Sequence, residues 1–391
     1  MKISYKVIMP LNSQQHLFNI SEDVTYLNTA SFSPAFKSVE AAGIAAIKRK
    51  SNPELRQASD LFEPVIELRK LFAQLIDEDD YNRVVTIPSV SYGMANVANN
   101  ITLKEGDEIV IVEEQFPSNY YIWENLAKQY NAKIVTVNQP NNSEDWNRLI
   151  LETINENTAL VAIGHLHWAN GIIFDLKAIR KETNEHNSLL VIDGSQSIGA
   201  LPFSIKDIQP DALICAGYKW LFGPYGSSYA YYGPYFDNGK PIEQNWANRL
   251  GSENLSGLTA YQSEYKPKAN RYAVGESGSF IYVKMQTAAL EEILRIDKVE
   301  FQEYCHSISI DILKSLSKIG FTSDNPQVRA KHLFGIKIPS SVDVDLLKET
   351  LKSHNIHLSF RGEYMRVSCH VFNTEAHFKK LFSVINAVVN G

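Results

Sequence analysis

Cysteine is scarce in this chain and unpatterned. Cys215, Cys305 and Cys369 lie far apart with no pair spacing, which rules out a sequence-readable zinc site and fits a reducing compartment. Long apolar runs are missing too. The start, MKISYKVIMPLNSQQHLFNI, holds none of signal-peptide kind, and nowhere do about 18 apolar residues follow one another. No membrane association is expected, and the location reads as cytoplasmic. A basic block is also absent: 38 Lys and Arg against 44 Asp and Glu give a formal net charge of -6, which argues against a general nucleic-acid binder. Small molecules or a second copy of the chain are the expected partners. Neither GxxxxGK[ST] nor GxGxxG occurs, so nucleoside triphosphate and dinucleotide sites have no support. There is no internal repeat and no low-complexity tract.

What is present is the composition of a soluble globular protein, 44% hydrophobic and 21% charged over 391 residues, a length that predicts two domains. An N-terminal arm over residues 1–34 leads to helices at Ala35 to Lys50 and Leu61 to Ile76. Short apolar runs then alternate with helical patterns. Strands are expected at Val84 to Ile87, Glu108 to Val112, Ile134 to Val137, Leu160 to Ile163, Leu189 to Ile192, Ala212 to Cys215 and Ser228 to Tyr232. Helices are expected at Tyr92 to Asn100, Tyr120 to Tyr130, Trp146 to Ile154 and Leu176 to about Asn187. Seven strands separated mostly by helices specify an α/β fold with a mainly parallel sheet. The last strand follows a turn without a helix and should run antiparallel to its neighbour. A tyrosine-rich, loop-rich stretch, 236–278, closes a large domain of residues 35–278. A smaller α+β domain, 279–391, follows, with helices at Phe280 to Leu294, Val299 to Ile319, Val344 to His354 and Thr374 to Asn390. Its strands are expected at His332 to Ile338, His357 to Phe360 and Met365 to Val367.

The stretch Leu189 to Gly226 carries the chemistry. Its two strands deliver Asp193 and Gln196 at one end and Tyr218 and Lys219 at the other, before a Gly-Pro-Tyr-Gly turn. Ligands of open parallel sheets sit outside the carboxyl ends of the strands, so the acid and the lysine can converge. Pyridoxal phosphate needs that pair: a lysine for the imine and a carboxylate to keep the pyridine nitrogen protonated. IPSVSYGMANVAN adds a helix start with Ser89, Ser91 and Gly93, suited to an anion, although serines there are more often simple caps. His165 and His167 in GHLHWANG would point the same way in a strand, but no further ligand at sensible spacing accompanies them, so no metal is expected.

These residues carry a family resemblance. From TYLNTASFSP to FRGEYMRVSCHVFNT, with D-G-x-Q followed by G-Y-K-W at its centre, the chain resembles the class V aminotransferase group of fold-type-I pyridoxal-phosphate enzymes. That group includes cysteine desulfurases, kynureninase-like hydrolases, cystine lyases and isopenicillin N epimerase-like proteins. The resemblance implies pyridoxal 5'-phosphate as cofactor, Lys219 as the Schiff-base lysine and catalytic base, and Asp193 as the pyridinium partner. It implies Gln196 on the phenolic oxygen, and Tyr218, Ser91 and the backbone at Tyr92 on the phosphate. Phe116 would stack on the ring, Arg366, Arg361, Asn28 and Trp168 would meet the substrate, and Asn119 would either turn toward the ligand or cap a helix. Glu276 and Ser277 would reach the phosphate of a partner subunit, which implies a homodimer with shared active sites.

Departures from the family pattern narrow the function. FRGEYMR is too short for the cysteine-bearing loop of desulfurases and has no cysteine, so persulfide chemistry is not expected. Ala216 stands where some relatives place a phosphate-binding serine. Trp168 replaces a common asparagine, which implies a reshaped pocket or a transfer of that role to Asn170. The implied activity is an aminotransferase-type reaction on a small α-amino acid. A β-lyase is the alternative, then an epimerase or a kynureninase-like hydrolase, and last a binding protein that has kept the fold.

Overall fold

The computed structural model describes residues 11–390. Its centre is a seven-stranded sheet of β2 (Val84–Ile87), β3 (Glu108–Val112), β4 (Lys133–Val137), β5 (Thr158–Gly164), β6 (Leu189–Asp193), β7 (Ala212–Ala216) and β8 (Ser228–Tyr232), in the order β2-β8-β7-β6-β5-β3-β4. The strands from β7 to β4 are parallel, and β8 runs antiparallel to both β7 and β2. Strand alternation gives the sheet two apolar faces. Val85, Ile87, Ile109, Ile111, Val191 and Ile214 pack under α3 (Val90–Ala98) and α4 (Tyr121–Tyr130). Val84, Val110, Val161, Ile192 and Leu213 face the other way, against α2 (Glu63–Leu75), α5 (Trp146–Thr153), α6 (Leu176–Glu185) and the short α7 (Ile205–Ile208).

A third apolar cluster belongs mostly to the C-terminal part. It is built on α9 (Lys298–Ser317), β9 (Leu333–Lys337), α10 (Val344–Ser353), β12 (Tyr364–Ser368) and α11 (Glu375–Asn390). Helix α8 (Phe280–Leu294) bridges the two parts, giving Val283 and Leu290 to one core and Ala289 and Ile293 to the other. It packs against α2 and α1 (Lys37–Lys50). The expected elements lie within a few residues of those observed, with one correction. The strand expected over His357 to Phe360 is two: β10 (Ile356–His357) pairs in parallel with β1 (Thr25–Tyr26), and β11 (Ser359–Arg361) pairs antiparallel with β12. The chain changes partner between them, from the N-terminal arm to β12. Asn28 extends that pairing by bridging to Ser368.

The link after β5 turns back on itself to meet the C-terminal part. Gly171 N–H donates to His167 O at 2.8 Å, and Ala330 N–H donates to Gly171 O at 2.9 Å. Gly171 has φ +85, and a Cβ there would lie 2.2 Å from Leu333 O. Gly171→Ala therefore combines a left-handed backbone with a clash against backbone, and we expect a loss of at least about 2 kcal/mol. Thermal unfolding checks this, and an unchanged Tm would refute it.

Candidate active site

Lys219 follows β7 in a tight loop. Gly217 N–H donates to Ser227 O (2.9 Å), Gly223 N–H donates to Gly217 O (2.8 Å), and a Cβ at Gly217 would lie only 2.7 Å from Ser227 O. The lysine is 7% exposed. Its Nζ sits 5.2 Å from the Phe116 ring centroid and 5.8 Å from that of Tyr218, and it makes no hydrogen bond among the described residues. Burial lowers its pKa to about 8; Asp193 opposes the shift, while Arg366 and Arg361 add to it. The next residue, Trp220, turns the other way into the C-terminal core. Its Nε1 donates to Gln196 Oε1 at 2.8 Å.

Asp193 ends β6, one strand away. One of its oxygens accepts from Ser195 N–H at 2.9 Å, and the other has no partner among the described residues. The Gln196 amide is largely engaged, with Nε2 donating to Ala30 O at 3.1 Å. One Nε2 hydrogen remains for a ligand. The N-terminal segment runs along the lysine loop: Ser33 Oγ and N–H both donate to Tyr218 O, and Phe32 lies 5.4 Å from the Tyr218 ring.

At the start of α3, Ser89 is the N-cap, its Oγ accepting from Tyr92 N–H at 3.1 Å. The backbone N–H of Tyr92 is already bonded, and the open N–H groups are those of Val90 and Ser91, beside the exposed Ser91 hydroxyl. The helix start lies close over the sheet because a Cβ on Gly93 would meet Ile214 of β7 at 2.6 Å. The Tyr92 hydroxyl instead donates to Glu243 at 3.0 Å, in the loop region.

The opposite wall is aromatic and cationic. Phe116 meets Trp168 edge-on at 5.5 Å, and Trp168 Nε1 donates to Glu114 O at 2.7 Å. Arg361 and Arg366 each lie 5.6 Å from the Trp168 ring. Arg366 is 1% exposed. Its Nε donates to Ser359 Oγ (3.0 Å), one terminal nitrogen to Trp168 O (3.1 Å) and the other to Ser31 Oγ (2.7 Å). Burial pulls its pKa down to about 9. Asn28 is half-buried, with its Oδ1 enclosed and without a partner among the described residues.

Other residues singled out by the sequence have these surroundings. The Asn170 amide holds Ile172 N–H and Gln139, so it is a turn residue and does not take over the missing asparagine's role. Asn119 Oδ1 accepts from Trp123 Nε1 at 2.8 Å, which braces α4, while its Nδ2 is buried without a partner among the described residues. His165 packs on Phe203 and His167 on Trp146, and burial lowers the pKa of each to about 4. Among the described residues no group of three or more His, Cys, Asp or Glu is placed to hold a metal. Ser277, expected at the phosphate of a partner subunit, is not among the described neighbours of Lys219 in its own chain. It lines a separate cavity of about 520 Å³ with Arg56, Phe62, Trp246 and Lys266.

Sequence reading missed Trp220 and His332 as braces of this site. His332 Nε2 lies 2.9 Å from Gln196 O and its Nδ1 lies 2.7 Å from Gln302 Nε2. No local signal links His332 to Gln196, whereas Trp220 could have been flagged as a large ring beside the lysine. Ser31 was within the quoted TYLNTASFSP motif, but nothing in the motif points it at Arg366.

The residues fit pyridoxal phosphate. They offer a buried lysine amine without a hydrogen-bond partner, a carboxylate oxygen left open one strand away, two free N–H groups at a helix start, and an aromatic face over the lysine. Comparison with known proteins agrees. The sequence profile of the family described as aminotransferase class-V matches residues 26–381. An uncharacterised aminotransferase of Bacillus subtilis, YcbU, is 25% identical over 326 residues, 82% of each chain. A probable cysteine desulfurase of Staphylococcus epidermidis is 30% identical over 207 residues, 53% of this chain and 47% of that protein. The apo structure of a cysteine desulfurase from Thermococcus onnurineus shares the fold with a TM-score of 0.84 at 18% identity, covering 97% of this chain and 99% of that one. Fold, site and profile together make this chain a member of the class-V aminotransferase family, a pyridoxal-phosphate-dependent enzyme of fold type I.

Proposed function

We propose that the enzyme transaminates a small α-amino acid, with Lys219 as the group that moves the proton. Transamination is favoured by the relative described as an aminotransferase, and the observation that carries the role of Lys219 is its amine, buried against Phe116, lowered in pKa to about 8, and one strand from Asp193. Bound pyridoxal phosphate supplies an electron-accepting ring that stabilises negative charge at the substrate Cα. Lys219 would hold the aldehyde at rest, Asp193 the ring nitrogen, and the remaining Nε2 hydrogen of Gln196 the phenolic oxygen. Val90 and Ser91 N–H, the Ser91 hydroxyl and Tyr218 would take the phosphate, while Phe116 covers the ring and Asn28 and Arg366 orient the substrate. A neutral Lys219 Nζ then accepts the Cα proton as general base. The atom to which it returns that proton decides the product.

A β-lyase is the second reading, favoured by relatives named as cysteine desulfurases. A desulfurase that carries persulfide on its own cysteine is disfavoured, because Cys215, Cys305 and Cys369 are all buried. We further propose a cytoplasmic homodimer, divided in each chain into an arm of 1–34, a large domain of 35–278 and a small domain of 279–391. Exposed Leu55, Trp246 and Leu250 near the Ser277 cavity support the dimer. Among the described residues no helix is long and apolar enough to cross a membrane.

Purified enzyme loaded with cofactor should absorb near about 420 nm, and Lys219→Ala should lose that band. A band unchanged in the variant would overturn the assignment of Lys219. Incubation with amino acids one at a time should yield keto-acid with conversion of the cofactor to its amine form. Keto-acid with release of sulfide or another β-substituent, and no amine form, would instead establish the lyase.

The lowered pKa gives a second test that needs no cofactor. Only the neutral amine reacts with 1-fluoro-2,4-dinitrobenzene, a reagent that does not itself titrate, so dinitrophenylation of Lys219 in cofactor-free protein should rise with pH through a midpoint of about 8. Exposed lysines should rise nearer about 10.4. Asp193→Asn removes the charge that favours the protonated amine, so its midpoint should fall further. Peptide mass spectrometry reads both, and a Lys219 midpoint at the surface value would refute the claim.

A further inference from the structure

The two arginines on the Trp168 wall differ in what they have left to give. Arg366 has five N–H donors. Three are directed at Ser359, Trp168 O and Ser31, which locks the guanidinium in place and leaves two for one carboxylate. Among the described residues Arg361 donates only to its own neighbour, Phe360 O, at 2.7 Å, so four of its donors are unassigned there. It sits at the start of the shortened turn before Gly362, half-buried, and shares the Trp168 ring at 5.6 Å.

The charges around the pair are unbalanced. Neither arginine makes an ion pair among the described residues. Among the described residues the only charged neighbour that perturbs Arg366 is Arg361, and both arginines act on Lys219 in the same sense. Glu114 lies nearby but is exposed and turned to the Gly362 side, 3.9 Å from the place of a Cβ there. Two guanidinium groups on one indole ring, with no carboxylate between them, repel each other until anions arrive. One substrate carboxylate on the two open donors of Arg366 neutralises one charge and leaves the other.

We infer that the substrate is an α-amino acid whose side chain ends in a second anionic group, with the α-carboxylate on Arg366 and the distal group on Arg361. Planar two-pronged donation suits a carboxylate best. Trp168 is the platform that spaces the two guanidinium groups: its indole N–H is fixed to Glu114 O and its edge rests on Phe116, so the ring cannot swing away to merge the two sites. The side chain of the substrate then runs along the indole from the reacting carbon toward the turn. This inference rests on the amino-acid reading above and specifies its substrate class.

Calorimetric titration of the cofactor-loaded enzyme with glutarate and butyrate tests it. The two acids have comparable carbon chains and differ in the second carboxylate. Glutarate should bind at least about tenfold more tightly, the worth of one good charge-assisted contact. Arg361→Gln should reduce that ratio to about one, and Arg361→Lys should restore part of it, because a point charge replaces the fork. The variants' cofactor absorbance serves as the folding control. Equal affinities in the wild type would overturn the inference. So would an Arg361→Gln variant that weakens butyrate as much as glutarate, since both arginines would then share one carboxylate. A wild-type preparation that takes up no pyridoxal phosphate would overturn the underlying reading, whereas a loaded enzyme without the preference overturns the dianion alone.

Discussion

Taking a lysine amine out of water without giving it a hydrogen-bond partner is the constraint around which this molecule is built. Desolvation favours the neutral amine, and burial outweighs the attraction of Asp193, with the two arginines on the same side. A pKa of about 8 against an ordinary 10.5 corresponds to roughly 3 kcal/mol disfavouring the cation. That cost is tolerated only where the surroundings cannot relax, and several features prevent relaxation. The lysine loop is closed by Gly217 and Gly223, Trp220 anchors it in the C-terminal core, and Phe222 holds a positive φ of 54 three residues on.

The N-terminal arm acts as a strap across the same loop. In six residues it bridges Asn28 to Ser368, presents Ala30 O to Gln196, offers Ser31 to Arg366, and ties Ser33 to Tyr218 O. The lysine loop, the end of β6 and the C-terminal strands are thus fixed to one short segment. From the other side, His332 holds the Gln196 carbonyl and is itself held by Gln302. Gln196 is therefore placed by three parts of the chain at once, which sets the distance between the lysine loop and the end of β6.

Much of this was legible beforehand. The strands read correctly because buried parallel strands are short apolar runs set off by helices, as at Glu108–Val112 and Ser228–Tyr232. The convergence of Asp193 and Lys219 followed from strand ends sharing one edge of a sheet. What the sequence left open concerns polar groups whose partners are remote or whose orientation it does not encode. The Tyr92 N–H was taken by Ser89, Asn170 by its own turn and Gln139, and Asn119 by Trp123. A side-chain amide gives no sequence signal of which way it will turn. The split of β10 from β11 depended on the arm arriving at the edge.

By itself, the sequence determined the layered α/β fold and the cofactor chemistry, because periodicity and the D-G-x-Q and G-Y-K-W spacings are local properties that survive without a fold. Only the tertiary structure decided how acid, lysine, indole and arginines face one another. Burial sets the lysine's proton affinity, and burial is the sum of contacts from Phe116, Tyr218 and the rest of the pocket. The unequal engagement of Arg361 and Arg366 is likewise invisible in FRGEYMR, since it depends on Ser31 and Trp168 arriving from 335 and 198 residues away.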